Sequence, residues 1–265
     1  MPKAPTTPEE EWRRQLLTGD NVPRQMRRAF ALLPANPRCK LCNAPFKSWG
    51  GVLMRRLGRP QSRKNPHYCE PCAFQQPGGA EVQISMLFAD VRGSTTLAEG
   101  MRAAEFGRMI GRFYEEATNV LVQADALVDR LVGDEVIGLF IPGFAGSQHA
   151  ERAIGAAQEL IRRIGYGRPA GPWLPVGIGV HTGIAFVGVV KGGEEGLSDF
   201  TALGDNVNIA ARLASAAAAG EILISEAAYQ AGGMKLGDPA RRELAVKGKS
   251  DPITVRVVRA DHSMA

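Results

Sequence analysis

The chain has 265 residues, 45% of them hydrophobic and 22% charged, which excludes wholesale disorder and suits one large domain or an ordinary domain with a small module. Glycine (31) and proline (17) are frequent but follow no period, so a collagen-like structure is excluded. The net charge of +5 is uneven: residues 1–79 carry +9 and residues 80–265 carry −4, so a nucleic-acid-binding role would have to reside in the first third.

The N-terminus, MPKAPTTPEEEWRRQ, lacks the apolar core of a secretory signal, and a cytoplasmic protein is expected. Residues 1–34 read as a helical segment. Trp12, Leu16 and Leu17 have helical spacing, and Met26, Phe30 and Leu33 repeat it. Residues 35–79 read as a four-cysteine module and linker. Cys39-x2-Cys42 and Cys69-x2-Cys72 are separated by 26 residues, and no cysteine follows. In a cytosolic context two such knuckles suit a tetrahedral four-thiolate zinc site, with an iron–sulfur site as the alternative. His67 is a spare ligand. The filler between the knuckles is rich in arginine and turn formers, with too few apolar residues to fold without a staple. Gln75 to Ala80, QQPGGA, reads as a linker.

The large domain spans residues 80–265, its pattern starting at about Glu81. Val82 to Val91 predicts a strand ending near Asp90. Residues 102–123 predict a helix with Phe106, Ile110, Phe113, Ala117, Val120 and Leu121 on one face. Ala126 to Ile141 predicts two short strands broken by Gly133-Asp134. Residues 146–165 predict a second amphipathic helix. Pro169 to Val190 is uncharged and long enough to invite a transmembrane reading, but three prolines, five glycines and His181 argue instead for a loop and a hairpin over Pro175–Val190. A third helix is predicted over 205–217, a strand over Ile222–Ile224, a short helix from Ser225, and a hairpin over Glu243–Arg259. The order β-α-β-β-α-β predicts an α+β, ferredoxin-like antiparallel sheet with helices on one face.

Three segments of that domain share a chemical theme. In FADVRGST (88–95) a strand delivers Asp90 to its end, and a turn at Gly93, Ser94 and Thr95 exposes backbone N–H groups. Such a turn suits an anion, and the adjacent carboxylate suits a divalent metal on the same phosphates. Asp134 stands at a hairpin tip. If that hairpin pairs beside the first strand, the two aspartates need a shared cation. In NIAAR, Asn208 and Arg212 stack at i,i+4 as a donor array for oxygens gathering negative charge.

This ordered set resembles the class III nucleotidyl cyclase catalytic domain. The resemblance rests on FADVRGST (88–95), RLVGDEVIGLF (130–140), VGIGVHTGIAFVGVV (176–190), FTALGDNVNIAARL (200–213) and VKGKSDP (246–252). The related diguanylate cyclase domain would place a GG[DE]EF-type sequence at the tip that here reads LVGDEV. The resemblance implies that Asp90, Asp134 and the carbonyl of Val91 hold two Mg²⁺ or Mn²⁺ ions. It implies that Asn208 orients the ribose, that Arg212 meets the transition-state phosphate and that Lys247 holds the terminal phosphates. It further implies a homodimer whose shared sites take aspartates from one chain and Asn, Arg and Lys from the other. At the base-reading positions, where adenylate cyclases of the family often carry lysine and aspartate or threonine, this chain has Arg130 and Thr201. Arg130 donates only, so it suits adenine N1 or guanine O6, and ATP is favoured over GTP. No histidine stands as a general base; His181 reads as structural. The competing functions are a cyclase-like nucleotide-binding regulatory dimer and a nucleic-acid-binding four-cysteine protein. The first third has few aromatics between its basic residues, which weakens a nucleic-acid partner, and no strong case for a membrane partner is made either.

Overall fold

The computed structural model describes residues 7–19, 22–34, 36–73, 78–192, 197–245 and 252–259. The first third contains α1 (Pro8–Thr18), α2 (Arg24–Ala31), α3 (Ser48–Arg56) and the single turn α4 (Glu70–Ala73). Thr7 caps α1, with Glu10 reaching back to the Thr7 N–H at 2.8 Å, and Gly19 closes the helix at φ 68°.

The larger part begins with β1 (Gly78–Val91), then α5 (Ser94–Glu99), α6 (Ala103–Gln123), β2 (Leu127–Val132), β3 (Glu135–Phe140), α7 (Pro142–Ala145) and α8 (His149–Ile164). It continues with β4 (Val176–Gly192), β5 (Leu197–Leu203), α9 (Asp205–Ala216), β6 (Glu221–Ser225), α10 (Glu226–Ala228), β7 (Ala240–Leu244) and β8 (Ile253–Arg259). Among the described residues the sheet runs β2-β3-β1-β4-β6-β8-β7, with β5 on the second half of β4. Each neighbouring pair among its first four strands is antiparallel, as a ferredoxin-like βαββαβ unit requires, and β4 and β6 are parallel.

Three expectations change. The segment 176–190 is not a hairpin in itself but most of the single strand β4, which pairs with β1 along its length and turns back through β5. Its glycines serve close approach instead of a turn: a Cβ on Gly179 would stand 2.4 Å from the Ala214 N and 2.7 Å from the Ala210 O of α9. Next, Gly78, Gly79 and Ala80 already belong to β1, so the strand starts before the expected boundary at Glu81; the rest of the linker signal lies outside the described residues.

Finally, helices cover both faces of the sheet. The apolar stripes of α6 and α8 bury Ile110, Phe113, Leu121, Leu160 and Ile161 against Leu87, Ala89, Ile178 and Val180 on one face. The other face carries Ile84, Met86, Phe88 and Leu139. It is covered by Ala210 and Ala214 of α9 together with Trp12, Leu16, Tyr68 and the four cysteines. Trp12 stacks on Phe200 with centroids 6.4 Å apart, and Tyr68 meets Phe144 edge-on at 5.0 Å. The N-terminal third is therefore a layer of the same core.

Candidate active site and four-cysteine site

β1 and β3 place the two aspartates side by side. Asp90 is the register partner of Glu135, and the Val91 N–H donates to the Asp134 carbonyl at 3.2 Å. Gly133 makes the turn at φ 62°, and the Tyr114 hydroxyl on α6 donates to its carbonyl at 2.8 Å, which anchors the tip. Gly93, at φ 66°, then turns the chain into α5, whose first residues are Ser94 and Thr95.

Sequence reasoning missed two members of this cluster. Arg92 ion-pairs Asp90 and donates to the Ser215 carbonyl of α9 at 2.7 Å. Glu135 is half-buried beside Asp134. Burial, and then the Asp134 charge, push its carboxyl upward, against the pull of Arg92. The Arg92 guanidinium is shifted down by burial, a shift that Asp134 and Glu135 oppose. Hard carboxylate oxygens on adjoining strand ends are a donor set that fits Mg²⁺ or Mn²⁺.

Asn208 and Arg212 lie one turn apart on α9, whose opposite side is buried through Ile209, Ala210, Leu213 and Ala214. Asn208 is exposed and Arg212 half-buried. Among the described residues neither side chain has a hydrogen-bond or ion-pair partner. His181 is buried, with Nδ1 2.8 Å from Ser225 Oγ and Nε2 2.8 Å from Asn206 Oδ1. Because Asn206 Nδ2 donates to the Ile184 carbonyl at 2.7 Å, its Oδ1 faces the ring as acceptor and His181 carries its proton on Nε2. The histidine thus ties the start of α9 to β4. Lys247 lies outside the described residues.

Of the two residues expected to read the base, Arg130 is exposed on β2, with Nε 3.8 Å from Asp129 Oδ2. Buried Thr201 on β5 donates to Asp129 Oδ2 at 3.1 Å. A cavity of about 610 Å³ lies elsewhere, lined by residues that include Leu236, Asp238 and Arg241; none of the candidate site residues lines it.

The four cysteines are fully buried, carry no disulfide, and offer sulfurs all within 4.8 Å of one another. Cys42 and Cys69 have Sγ atoms 3.6 Å apart. A tetrahedral zinc–thiolate site with bonds of about 2.3 Å sets sulfurs roughly 3.8 Å apart, so the donor set fits a single tetrahedral ion. The crowding also splits the thiols. Hydrogen bonds from Cys42, Cys69 and Cys72 hold Cys39 well below the usual thiol range, while the reciprocal bonds and burial push Cys72 far above it. Arg59 Nη1 adds a donor 3.8 Å from Cys69 Sγ. His67 is not a member of the cluster; its Nδ1 lies 3.5 Å from Asp125 Oδ1.

Comparison with known proteins matches this architecture. The model of the adenylate and guanylate cyclase catalytic domain matches residues 79–259. The chain belongs to that family. An adenylate cyclase from Anabaena cylindrica is 28% identical over 190 residues, 67% of this chain and 37% of that protein. Adenylate cyclase 1 of Rhizobium meliloti is 32% identical over 136 residues, 49% of this chain and 20% of that protein. The alignments span little more than a third of these relatives' length, or less. The crystal structure of the guanylyl cyclase Cya2 aligns at a TM-score of 0.61 with 28% identity, covering 68% of this chain and 93% of that one. The adenylyl cyclase CyaB from P. aeruginosa aligns at 0.58 with 28% identity, covering 68% and 96%. No helix among the described residues is long and apolar enough to cross a membrane.

Proposed function

We propose that the chain is an adenylate cyclase that converts ATP to 3′,5′-cyclic AMP and pyrophosphate at sites shared between two copies. The observation that carries this reading is the pairing of two features in one chain. Carboxylates are gathered at the β1 end and the β2–β3 tip, and an Asn208–Arg212 row on α9 has no partner of its own among the described residues.

Asp90, Asp134 and the Val91 carbonyl would hold two divalent cations. When bound, these supply Lewis acidity to the ribose 3′-hydroxyl and neutralise triphosphate charge. Arg92 pairs Asp90 and is the counter-charge that a bound cation would replace. Ser94 and Thr95 offer their N–H groups to phosphate oxygens after the Gly93 turn. From the second copy, Asn208 orients the ribose for in-line attack and Arg212 donates to the oxygens that gather charge at the α-phosphorus. Removing one such donor typically costs about 10²–10³ in rate. Lys247 of the same copy anchors the leaving pyrophosphate. Arg130 and Thr201 meet the base. The cysteine site would hold one zinc ion as a structural staple. A multinuclear iron–sulfur cluster is disfavoured because its thiolates, bound to different irons, would have to stand further apart.

The test is turnover of ATP and of GTP with Mn²⁺ or Mg²⁺. Absence of any cyclic nucleotide under every combination rejects the enzyme reading in favour of a regulatory binder, and a preference for GTP reassigns it as a guanylate cyclase. Mixing an Asp90→Ala chain with an Arg212→Ala chain tests the shared site. Each alone should be inactive, and the mixture should regain activity at one of its two sites.

A further inference from the structure

The cysteine-stapled segment reaches the corner where the base would be read. Between the knuckles, the Lys64 carbonyl accepts from Val128 N at 2.8 Å and Asn65 Nδ2 donates to the Ala126 carbonyl at 2.7 Å, which ties the segment to β2 and the residues leading into it. The Lys64 ammonium donates to the Asp129 carbonyl. It also lies 3.1 Å from Asp199 Oδ1 and 3.5 Å from Asp129 Oδ1. Asp129 is the bulge residue of β2, where pairing steps from Val128↔Gly138 to Arg130↔Ile137. Its side chain is only 6% exposed. One oxygen accepts from Thr201 and the other makes no hydrogen bond.

A hydroxyl has one proton to donate. Thr201 Oγ1 lies 3.1 Å from Asp129 Oδ2 and 3.5 Å from the Ala202 carbonyl; the shorter contact takes the proton, so what the 5% exposed residue presents to a ligand is lone pairs. A purine meeting that face must donate from position 6, as the amino group of adenine does and the oxo group of guanine or hypoxanthine does not. This polarity requires an ionised Asp129. Burial works against ionisation there, and Lys64 leads the groups that oppose it.

We infer that Lys64 and Asp129 are positioning residues for nucleobase selection: Lys64 holds Asp129 as a carboxylate, and Asp129 holds the Thr201 hydroxyl as an acceptor that selects a 6-aminopurine. The inference rests on the cyclase reading only in taking Thr201 to meet the base.

The experiment compares ATP with inosine triphosphate, which carries a 6-oxo group, in both kcat/KM and equilibrium binding. The wild-type chain should favour ATP. Thr201→Val should lower the ATP-to-inosine ratio about tenfold or more, and Thr201→Ser should preserve it. Asp129→Asn donates to Thr201 Oγ1 from its amide and frees the hydroxyl proton, so the ratio should fall and move toward the 6-oxo base. Lys64→Gln should shift it the same way by about fivefold. A purely structural role would weaken both nucleotides alike, so ratios unchanged in Asp129→Asn and Lys64→Gln would overturn the inference. A wild type without preference for ATP would do so too. If Asp129→Asn does not fold, Lys64→Gln with the two Thr201 variants decides. A wild type that forms no cyclic product yet binds ATP over inosine triphosphate, with the same variant pattern, would sink the cyclase reading and leave this inference standing.

Discussion

The two candidate metal sites differ in ligand chemistry and in access. At the strand ends, Asp90 is 21% exposed and shares its surroundings with Asp134, Glu135 and Arg92. In the N-terminal layer, four sulfurs are at 0% exposure among apolar side chains. Hard oxygens open to solvent suit an ion that arrives with a substrate, whereas soft sulfurs with no open position suit one that stays. The contrast explains why the acidic site needs Arg92 as a resident counter-charge. The cysteine site has Arg59 beside Cys69, and four crowded thiols cannot all ionise without an ion at their centre.

Breaking the closed site should have the larger consequence. Cys39→Ser combined with Cys72→Ser should abolish metal content by elemental analysis. Structural zinc contributes on the order of 10 kcal/mol to small folds, so the N-terminal layer should become protease-sensitive. Retention of metal and of protease resistance would contradict a single four-thiolate ion.

The open site should respond in the opposite way. Asp90→Ala or Asp134→Ala should lower cyclase turnover by about 10³-fold or more, while melting temperature and the metal content of the cysteine site stay at wild-type values. Full activity in either variant would remove that aspartate from the metal set.

A third substitution separates the layer from its ion. Trp12 is buried and stacks on Phe200 of β5, so Trp12→Ala should cost about 3–5 kcal/mol of stability. Metal content should be preserved, because none of the four cysteines is touched. An unchanged melting temperature would show that the N-terminal helix does not hold the layer to the sheet.

The smallest effect concerns neither site and serves as a control. Arg242, in a bidentate pair at 2.7 and 3.0 Å, with the Ala218 N–H and Arg259, draws the Glu221 carboxyl down to about 2 against the effect of burial. A depressed carboxylate stabilises the fold at neutral pH, and that contribution is lost as pH falls from the ordinary glutamate range toward 2. Glu221→Gln should therefore flatten the acid limb of the stability profile without altering nucleotide selectivity.

Periodicity and turn residues made the helices and the first hairpin legible. The stripe from Phe106 to Leu121 located α6, the Gly133-Asp134 pair located the β2–β3 turn, and Asn208 with Arg212 fell on one face of α9 as their spacing implied. The glycines of β4 misled, because a glycine that opens a turn and one that lets a helix backbone come close look alike along a chain. Arg92 was in plain view within FADVRGST, yet its pairing with Asp90 depends on how the strand ends. Lys64 carried no local signal, since one lysine in an arginine-rich segment resembles any solvated charge.

What the amino-acid order determined by itself was therefore the main helices, the β2–β3 turn and the family resemblance, because periodicity, turn residues and motifs are written within short stretches of chain. What only the folded molecule decided was the docking of the first third on the open sheet face and the meeting of Lys64, Asp129 and Thr201. The residues of that meeting are 65 and 72 positions apart. Such contacts form only when a bulge, a stapled loop and a returning strand are packed against one another, and no local pattern encodes that coincidence.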